Sequence, residues 1–182
     1  MACVALGTRP GPVVIPLPRP QLLSTTADVP RLAAEAAGLP LTGDAAGALC
    51  QAVSYSRIGP DGPVPLRADH LFGPLLQGHL GPALGEAPGT LLWPWLRFRS
   101  AGEPGVADRV AIADDCAAVL RLAAQGARAA GRTAMDPEHL LIALAQHGQT
   151  LGARLLGDAG LDAARLRALF STPAQPASGS AG

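Results

Sequence analysis

The chain has 182 residues, of which 48% are hydrophobic and only 3% aromatic, and its formal net charge is zero. The length suits one domain with tails, and a core made mainly of Ala, Leu and Val favours packed helices over a β-sandwich. The neutral charge gives no overall attraction to nucleic acid or to an anionic membrane, and the absence of lysine excludes a P-loop and a Schiff-base nucleophile.

The composition also bears on source, compartment and cofactors. Abundant Ala, Gly, Pro and Arg, with no Lys or Asn, is typical of a GC-rich genome such as an actinobacterial one. No signal peptide is recognised, and no apolar run approaches the roughly 18–20 residues of a membrane span, so we expect a cytoplasmic protein. Cys3, Cys50 and Cys116 have no paired spacing, so no zinc or redox motif appears, and no cofactor is expected. Cys50 and Cys116 fall in helical patterns and are predicted to be small core residues.

The ends of the chain are predicted to lie outside the core. Residues 1–23 are rich in proline and are expected to be disordered, and residues 172–182 are expected to form a flexible tail. Between 24 and 39 the pattern predicts an accessory helix, with Asp28 as its N-cap and Gly38 as its stop.

The second half of the chain has a regular helical pattern. Apolar residues recur at helical spacing over 112–130, which predicts one amphipathic helix. Asp136 then caps a second helix, with Pro137 at its first position. A third helix is expected to stop at Gly160, and a fourth to begin near Asp162.

The first half repeats the opening of this pattern. A helix is predicted to run to Arg57, which corresponds to Arg128. After a loop two residues longer than its counterpart, Asp69-His70-Leu71 stands where Glu138-His139-Leu140 stands. Gly73-Pro74 is expected to break the second helix, because proline removes a backbone donor. The third helix is reduced and the fourth is not recognisable.

These segments resemble the Clp N-terminal (Clp R repeat) domain, which heads the AAA+ unfoldases of bacterial Clp proteases. Residues 119–170 resemble its second repeat without gaps, and "LTGDAAGALCQAVSYSR" followed by "ADHLFGPLL" resembles its first. The resemblance covers 40–171 and implies an all-α, pseudo-twofold domain whose first repeat is degenerate. The parts of that domain are repeat one at 40–85, an inter-repeat segment at 86–110 and repeat two at 111–171.

The resemblance also implies candidate site residues. In the family the domain docks substrates and adaptor proteins. In some members the acid of each repeat's "EHLL"-like motif grips the guanidinium of phosphoarginine, and the matching residues are Asp69 and Glu138. The alternative is that each acid only caps its own helix. Asp69 is one methylene shorter than the usual Glu, and Pro137 replaces a residue that could donate an N–H.

Two further sets of residues have competing interpretations. His70 and His139 are paired by the repeat, and without metal-ligand spacing they are predicted to be structural. Trp93, Trp95 and Phe98, between the repeats, are either buried anchors or an exposed partner-binding patch, since Trp and Arg are favoured at interfaces.

We therefore expect a stand-alone Clp N-domain-like binding protein without an ATPase motor. It would bind peptides, substrates or a Clp partner and so modulate Clp-dependent proteolysis. The alternative is a structural interaction module of an unrelated regulatory complex, with an inactive marker site. No Ser/His/Asp or Cys/His arrangement follows from the spacing, so no enzyme activity is expected, and neither a nucleic acid nor a membrane is an expected partner.

Overall fold

The computed structural model describes residues 28–55, 58–59, 62–63, 65–78, 84, 91 and 110–171. These residues form seven helices with defined bounds: α1 (Val29–Ala37), α2 (Gly43–Val53), α3 (Ala68–Gln77), α4 (Asp114–Ala129), α5 (Pro137–His147), α6 (Leu151–Asp158) and α7 (Ala163–Ser171). A two-residue antiparallel hairpin joins β1 (Ile58–Gly59) to β2 (Gly62–Pro63) in the loop between α2 and α3. The predicted all-α fold class is confirmed.

Several predicted helix ends are confirmed by local geometry. Gly38 follows α1 in the left-handed conformation (φ 68°), which a glycine adopts without steric cost. Asp136 is the N-cap of α5 and is followed by Pro137 at the first helical position. Gly160 has φ 70° just after α6. The backbone N–H of Arg165, in the first turn of α7, donates to Oδ1 of Asp162 over 2.7 Å.

One hydrophobic core joins all seven helices, and α5 lies at its centre. This helix packs against α2, α3, α4, α6 and α7, and Leu140, Leu141 and Leu144 on it are fully buried. The described core is made mainly of leucine and alanine, with Phe72 as its largest fully buried side chain. Small alanines let helices approach closely, as expected for a chain so poor in aromatic residues.

Two isolated parallel β-bridges connect the halves of the chain in equivalent ways. Leu41, just before α2, pairs with Met135, just before α5, while Leu66, before α3, pairs with Ile112, before α4. When the two halves are aligned by their motifs, Leu41 corresponds to Ile112 and Met135 to Leu66. Each bridge therefore corresponds to the other. Their hydrogen bonds also correspond, since Thr42 N–H donates to the carbonyl of Met135 (2.9 Å) and Ala113 N–H to that of Leu66 (3.0 Å). A pseudo-twofold relation between the repeats requires this exchange, and the full relation stays a prediction.

The first-half helices differ from the prediction at two points. First, the predicted extension of α2 to Arg57 is wrong, because the helix ends at Val53. The Ser54 hydroxyl donates to the carbonyl of Gln51 over 2.7 Å and closes a turn there. Tyr55 then folds back, and its hydroxyl lies 3.3 Å from Oε1 of Gln77 at the end of α3.

Second, the expected break at Gly73-Pro74 is wrong. Helix α3 runs without interruption from Ala68 to Gln77, with Pro74 inside it. The residues on both sides of the proline, Phe72 and Leu75, are buried in the core. Burial of large apolar side chains is worth about 1.5–3 kcal/mol each, which offsets the roughly 3 kcal/mol cost of an internal proline.

The helix predicted within 24–39 belongs to the same core as the repeats. Helix α1 packs against α2 and α4, with Val29 and Ala33 fully buried. The guanidinium of Arg128, near the end of α4, donates to the carbonyl of Gly38. This bond ties the end of α1 to the second repeat.

The predictions for the cysteines, the chain ends and membrane spans have the following outcomes. Cys116 is fully buried, as predicted, whereas Cys50 is half-buried. The segments 1–23 and 172–182 lie outside the described residues, as does nearly all of 86–110. Within the described ranges, no helix is long and apolar enough to cross a membrane.

Candidate functional site

The paired histidines hold the starts of two equivalent helices. Nδ1 of His70 accepts a hydrogen bond from the backbone N–H of Arg67, the N-cap of α3, over 3.2 Å. Nδ1 of His139 accepts one from the N-cap of α5, Asp136, over 3.1 Å. Each imidazole therefore takes the place that Glu or Gln has in a capping box. The structural interpretation of both histidines is confirmed, and no group of His, Cys, Asp or Glu in the described part of the chain is arranged to hold a metal ion.

Asp69 lies one residue before His70, in the first turn of α3, but its carboxylate points to a different helix. Oδ1 accepts a hydrogen bond from the backbone N–H of Leu151 over 2.7 Å and a longer one, 3.4 Å, from that of Gly152. These two residues begin α6, so Asp69 satisfies donors that a helix start leaves without intrahelical partners. These bonds to the start of α6 are contacts that the alternative of capping only its own helix does not include.

Glu138 lies in the first turn of α5, directly before His139, and is half-buried. Unlike Asp69, its carboxylate makes no hydrogen bond or ion pair with any described residue. It lies beside a groove of about 450 Å³. This volume is within the roughly 300–1,000 Å³ typical of ligand pockets.

Three helices form this groove, which we call the Glu138 groove. Helix α5 packs against both α4 and α7, and each of the three presents one face to it. Its lining residues are Leu122, Gly126, Ala130, Arg132, Glu138, His139, Ile142, Gln146, Arg167, Phe170 and Ser171. Leu122, Ile142 and Phe170 are only partly buried against the core, so the groove retains apolar surface that a partner can cover.

The charges of the groove have both signs. Glu138 supplies a carboxylate, while Arg132 and Arg167 supply two guanidinium groups. Both arginines are exposed, and neither side chain has a hydrogen bond or ion pair with a described residue. The groove can therefore interact with a cationic and an anionic group on the same partner.

The structure separates the two acids that the sequence pairs by motif. Glu138 lies on a groove, whereas Asp69 is bound to the start of α6. The sequence motifs did not identify three residues of the groove, Arg132, Arg167 and Phe170. Arg167 and Phe170 are three residues apart on α7, a spacing that puts both on one helix face, but only the packing of α7 on α5 brings that face to Glu138. Trp93, Trp95 and Phe98 lie outside the described residues.

Comparison with known families agrees with this architecture. The profile of the Clp repeat (R) N-terminal domain matches residues 112–178, a range that contains α4 to α7 and the whole lining of the Glu138 groove. No curated protein matches the chain. The segment that the sequence predicts to be the first repeat lies outside the match, and two bridges connect it to residues 112 and 135. Residues 112–178 are thus similar to the Clp repeat (R) N-terminal domain, which suggests a Clp-related protein-interaction module.

Proposed function

We propose that the chain binds peptide or protein segments through the Glu138 groove and thereby modulates Clp-dependent proteolysis. The observation that carries this proposal is the Glu138 carboxylate, which is half-buried beside a groove and has no hydrogen bond or ion pair with a described residue. Taking a carboxylate partly out of water weakens its hydration, and a cationic donor from a partner compensates for that loss. The proposal assigns the chain a binding role and no catalysis.

The difference between the two acids makes the proposal specific. Because Asp69 already accepts from two backbone N–H groups at the start of α6, its carboxylate is less available to a ligand than that of Glu138. A ligand that took Asp69 would also leave those donors without their partner, at a cost of about 1–3 kcal/mol. In this proposal Glu138 is the principal contact for a guanidinium, and Asp69 is structural.

The most specific ligand that we propose for the Glu138 groove is phosphoarginine. Its guanidinium offers planar N–H donors that match a carboxylate, and a charge-assisted hydrogen bond is about twice as strong as a neutral one. The N-terminus of α5 adds a partial positive charge beside Glu138, although Pro137 supplies no N–H there. We therefore expect recognition through Glu138 more than through the helix start.

The experiment is a calorimetric titration of the chain with a peptide containing one phosphoarginine, and with the same peptide containing unmodified arginine. We expect the phosphoarginine peptide to bind and its affinity to depend on Glu138. A degradation assay with a purified Clp unfoldase and its protease, with and without the chain, then measures modulation of proteolysis. If neither peptide binds at millimolar concentration and degradation is unchanged, the proposal is wrong and Glu138 only stabilises the start of α5.

A further inference from the structure

The Glu138 groove contains two cations that the proposed function does not use. We infer that the protein segment bound there carries an acidic side chain, which contacts Arg132 and Arg167, as well as the basic group that contacts Glu138 and an apolar side chain. This inference rests on the proposed function and specifies the chemistry of the partner.

The arginines form a distinct anion-binding part of the groove. Arg132 lies in the loop between α4 and α5, whereas Arg167 lies on α7, so two separate parts of the fold bring the same charge to one groove. Neither guanidinium is neutralised by a described carboxylate, Glu138 included. A guanidinium presents a fork of N–H donors that matches the two oxygens of an Asp or Glu side chain.

The groove also has an apolar part, to which three helices contribute. Leu122 comes from α4, Ile142 from α5 and Phe170 from α7, and each is only partly buried. An apolar side chain placed over these three removes further apolar surface from water, at about 25 cal/mol per Å². Charges of both signs combined with an apolar contact give specificity that neither charge alone provides.

A protein segment fits this groove better than a nucleic acid does. The Glu138 carboxylate repels a phosphate backbone, and the chain as a whole has no net positive charge to compensate for it. Asp and Glu are the ordinary anionic side chains of a protein segment. We therefore assign the contact of the arginines to such a carboxylate.

The test is an NMR titration of the whole chain with short capped peptides containing Arg-Leu-Glu or the reverse order, Glu-Leu-Arg. Each is compared with versions in which Glu is replaced by Gln or Arg by Gln. We expect the better of the two orders to lose about twofold to fivefold in affinity when its Glu becomes Gln, as for exposed ion pairs. This loss should disappear in Arg132→Gln/Arg167→Gln, because the partner of the carboxylate is gone.

Arg165→Gln is the matched control. Arg165 is exposed on the same helix as Arg167 but does not line the groove, so the variant should retain the full Glu-to-Gln difference. Higher salt should weaken the effect in the wild type, because the ion pairs are exposed.

Three other results would overturn the inference, and they separate it from the proposed function. Binding that depends on Glu138 but is the same for the Glu and Gln peptides removes the role of the arginines and leaves the proposed function intact. Loss of phosphoarginine preference in Arg132→Gln/Arg167→Gln, without an effect of the peptide carboxylate, assigns the arginines to phosphate instead. No binding by any unphosphorylated peptide also overturns the inference, while the phosphoarginine titration decides the proposed function separately.

Discussion

Oδ1 of Asp69 accepts a hydrogen bond from the backbone N–H of Leu151 over 2.7 Å, although 82 residues separate them in the chain. This bond joins the first turn of α3 to the start of α6, which lies in the part of the chain that the family profile matches. It uses the carboxylate that the family motif would otherwise offer to a ligand. The two acids therefore have different surroundings despite their matching motif positions.

Replacing Asp69 by alanine should lower the free energy of unfolding by about 1 kcal/mol, because the backbone N–H groups of Leu151 and Gly152 lose their side-chain acceptor. Asp69→Asn should recover most of this loss, because its side-chain oxygen still accepts from the N–H groups of Leu151 and Gly152. Urea denaturation measures both variants. Asp158→Ala is the control, since Asp158 is exposed at the other end of α6, and an equal loss there would contradict the assignment.

Gly152 allows α6 to approach α3 and α5 closely. A Cβ atom at this position would lie 2.7 Å from Cδ2 of Leu144 and 2.9 Å from Cδ2 of Phe72, both fully buried. Gly152→Ala should therefore destabilise the fold by about 1–3 kcal/mol, through overpacking. Gly157→Ala, on the same helix with open space around its Cβ, should be neutral or stabilising by up to about 1 kcal/mol. Thermal denaturation compares the two, and similar melting temperatures would refute the packing argument.

The role of His139 in capping α5 can be tested with one substitution that removes the hydrogen bond and one that restores it. His139→Ala removes the acceptor for the backbone N–H of Asp136 and should cost about 0.5–1.5 kcal/mol of stability. His139→Gln should restore much of it, since Gln at this position completes an ordinary capping box. Chemical denaturation decides between them. If glutamine is as damaging as alanine, the ring matters through its packing rather than through Nδ1.

Much of this fold follows from local patterns in the sequence. The start of α5 at Asp136-Pro137 and the stop after α1 at Gly38 depend on residues a few positions away, so their chemistry is visible in the chain. The continuity of α3 through Pro74 was mispredicted because it depends on the burial of Phe72 and Leu75 against distant helices.

The site was predictable only in part, for the same reason. The family motif indicates Glu138 and Asp69 equally. Their difference arises from α6, whose start meets Asp69, and from α7, which brings Arg167 and Phe170 to Glu138. These are tertiary contacts, and no local spacing specifies them.

The buried Cys116 thiol should make the free energy of unfolding decrease at alkaline pH. Burial, with a smaller contribution from the Asp115 carboxylate, raises the pKa of the Cys116 thiol above its ordinary value of 9.0. The unfolded chain therefore loses this proton at lower pH than the folded chain does. Stability from this group is fully present below about pH 9 and falls above it, by a slope that approaches about 1.4 kcal/mol per pH unit.

The measurement is urea denaturation from pH 8 to 10, with Cys116→Ala as the comparison because it lacks the thiol. Other titrating groups affect both proteins alike, so the difference between their slopes belongs to Cys116. Identical slopes would show that the thiol ionises equally readily in the folded chain.

The most direct test of the central claim, that the two equivalent acids have diverged, compares Glu138→Ala with Asp69→Ala in calorimetric titration with a phosphoarginine peptide. Loss of a charge-assisted bond costs roughly 1.5–3 kcal/mol, so Glu138→Ala should weaken binding about tenfold to a hundredfold. Asp69→Ala should weaken it clearly less, while lowering stability. A larger loss of affinity in Asp69→Ala than in Glu138→Ala, with both variants folded at the temperature of the titration, would contradict the account.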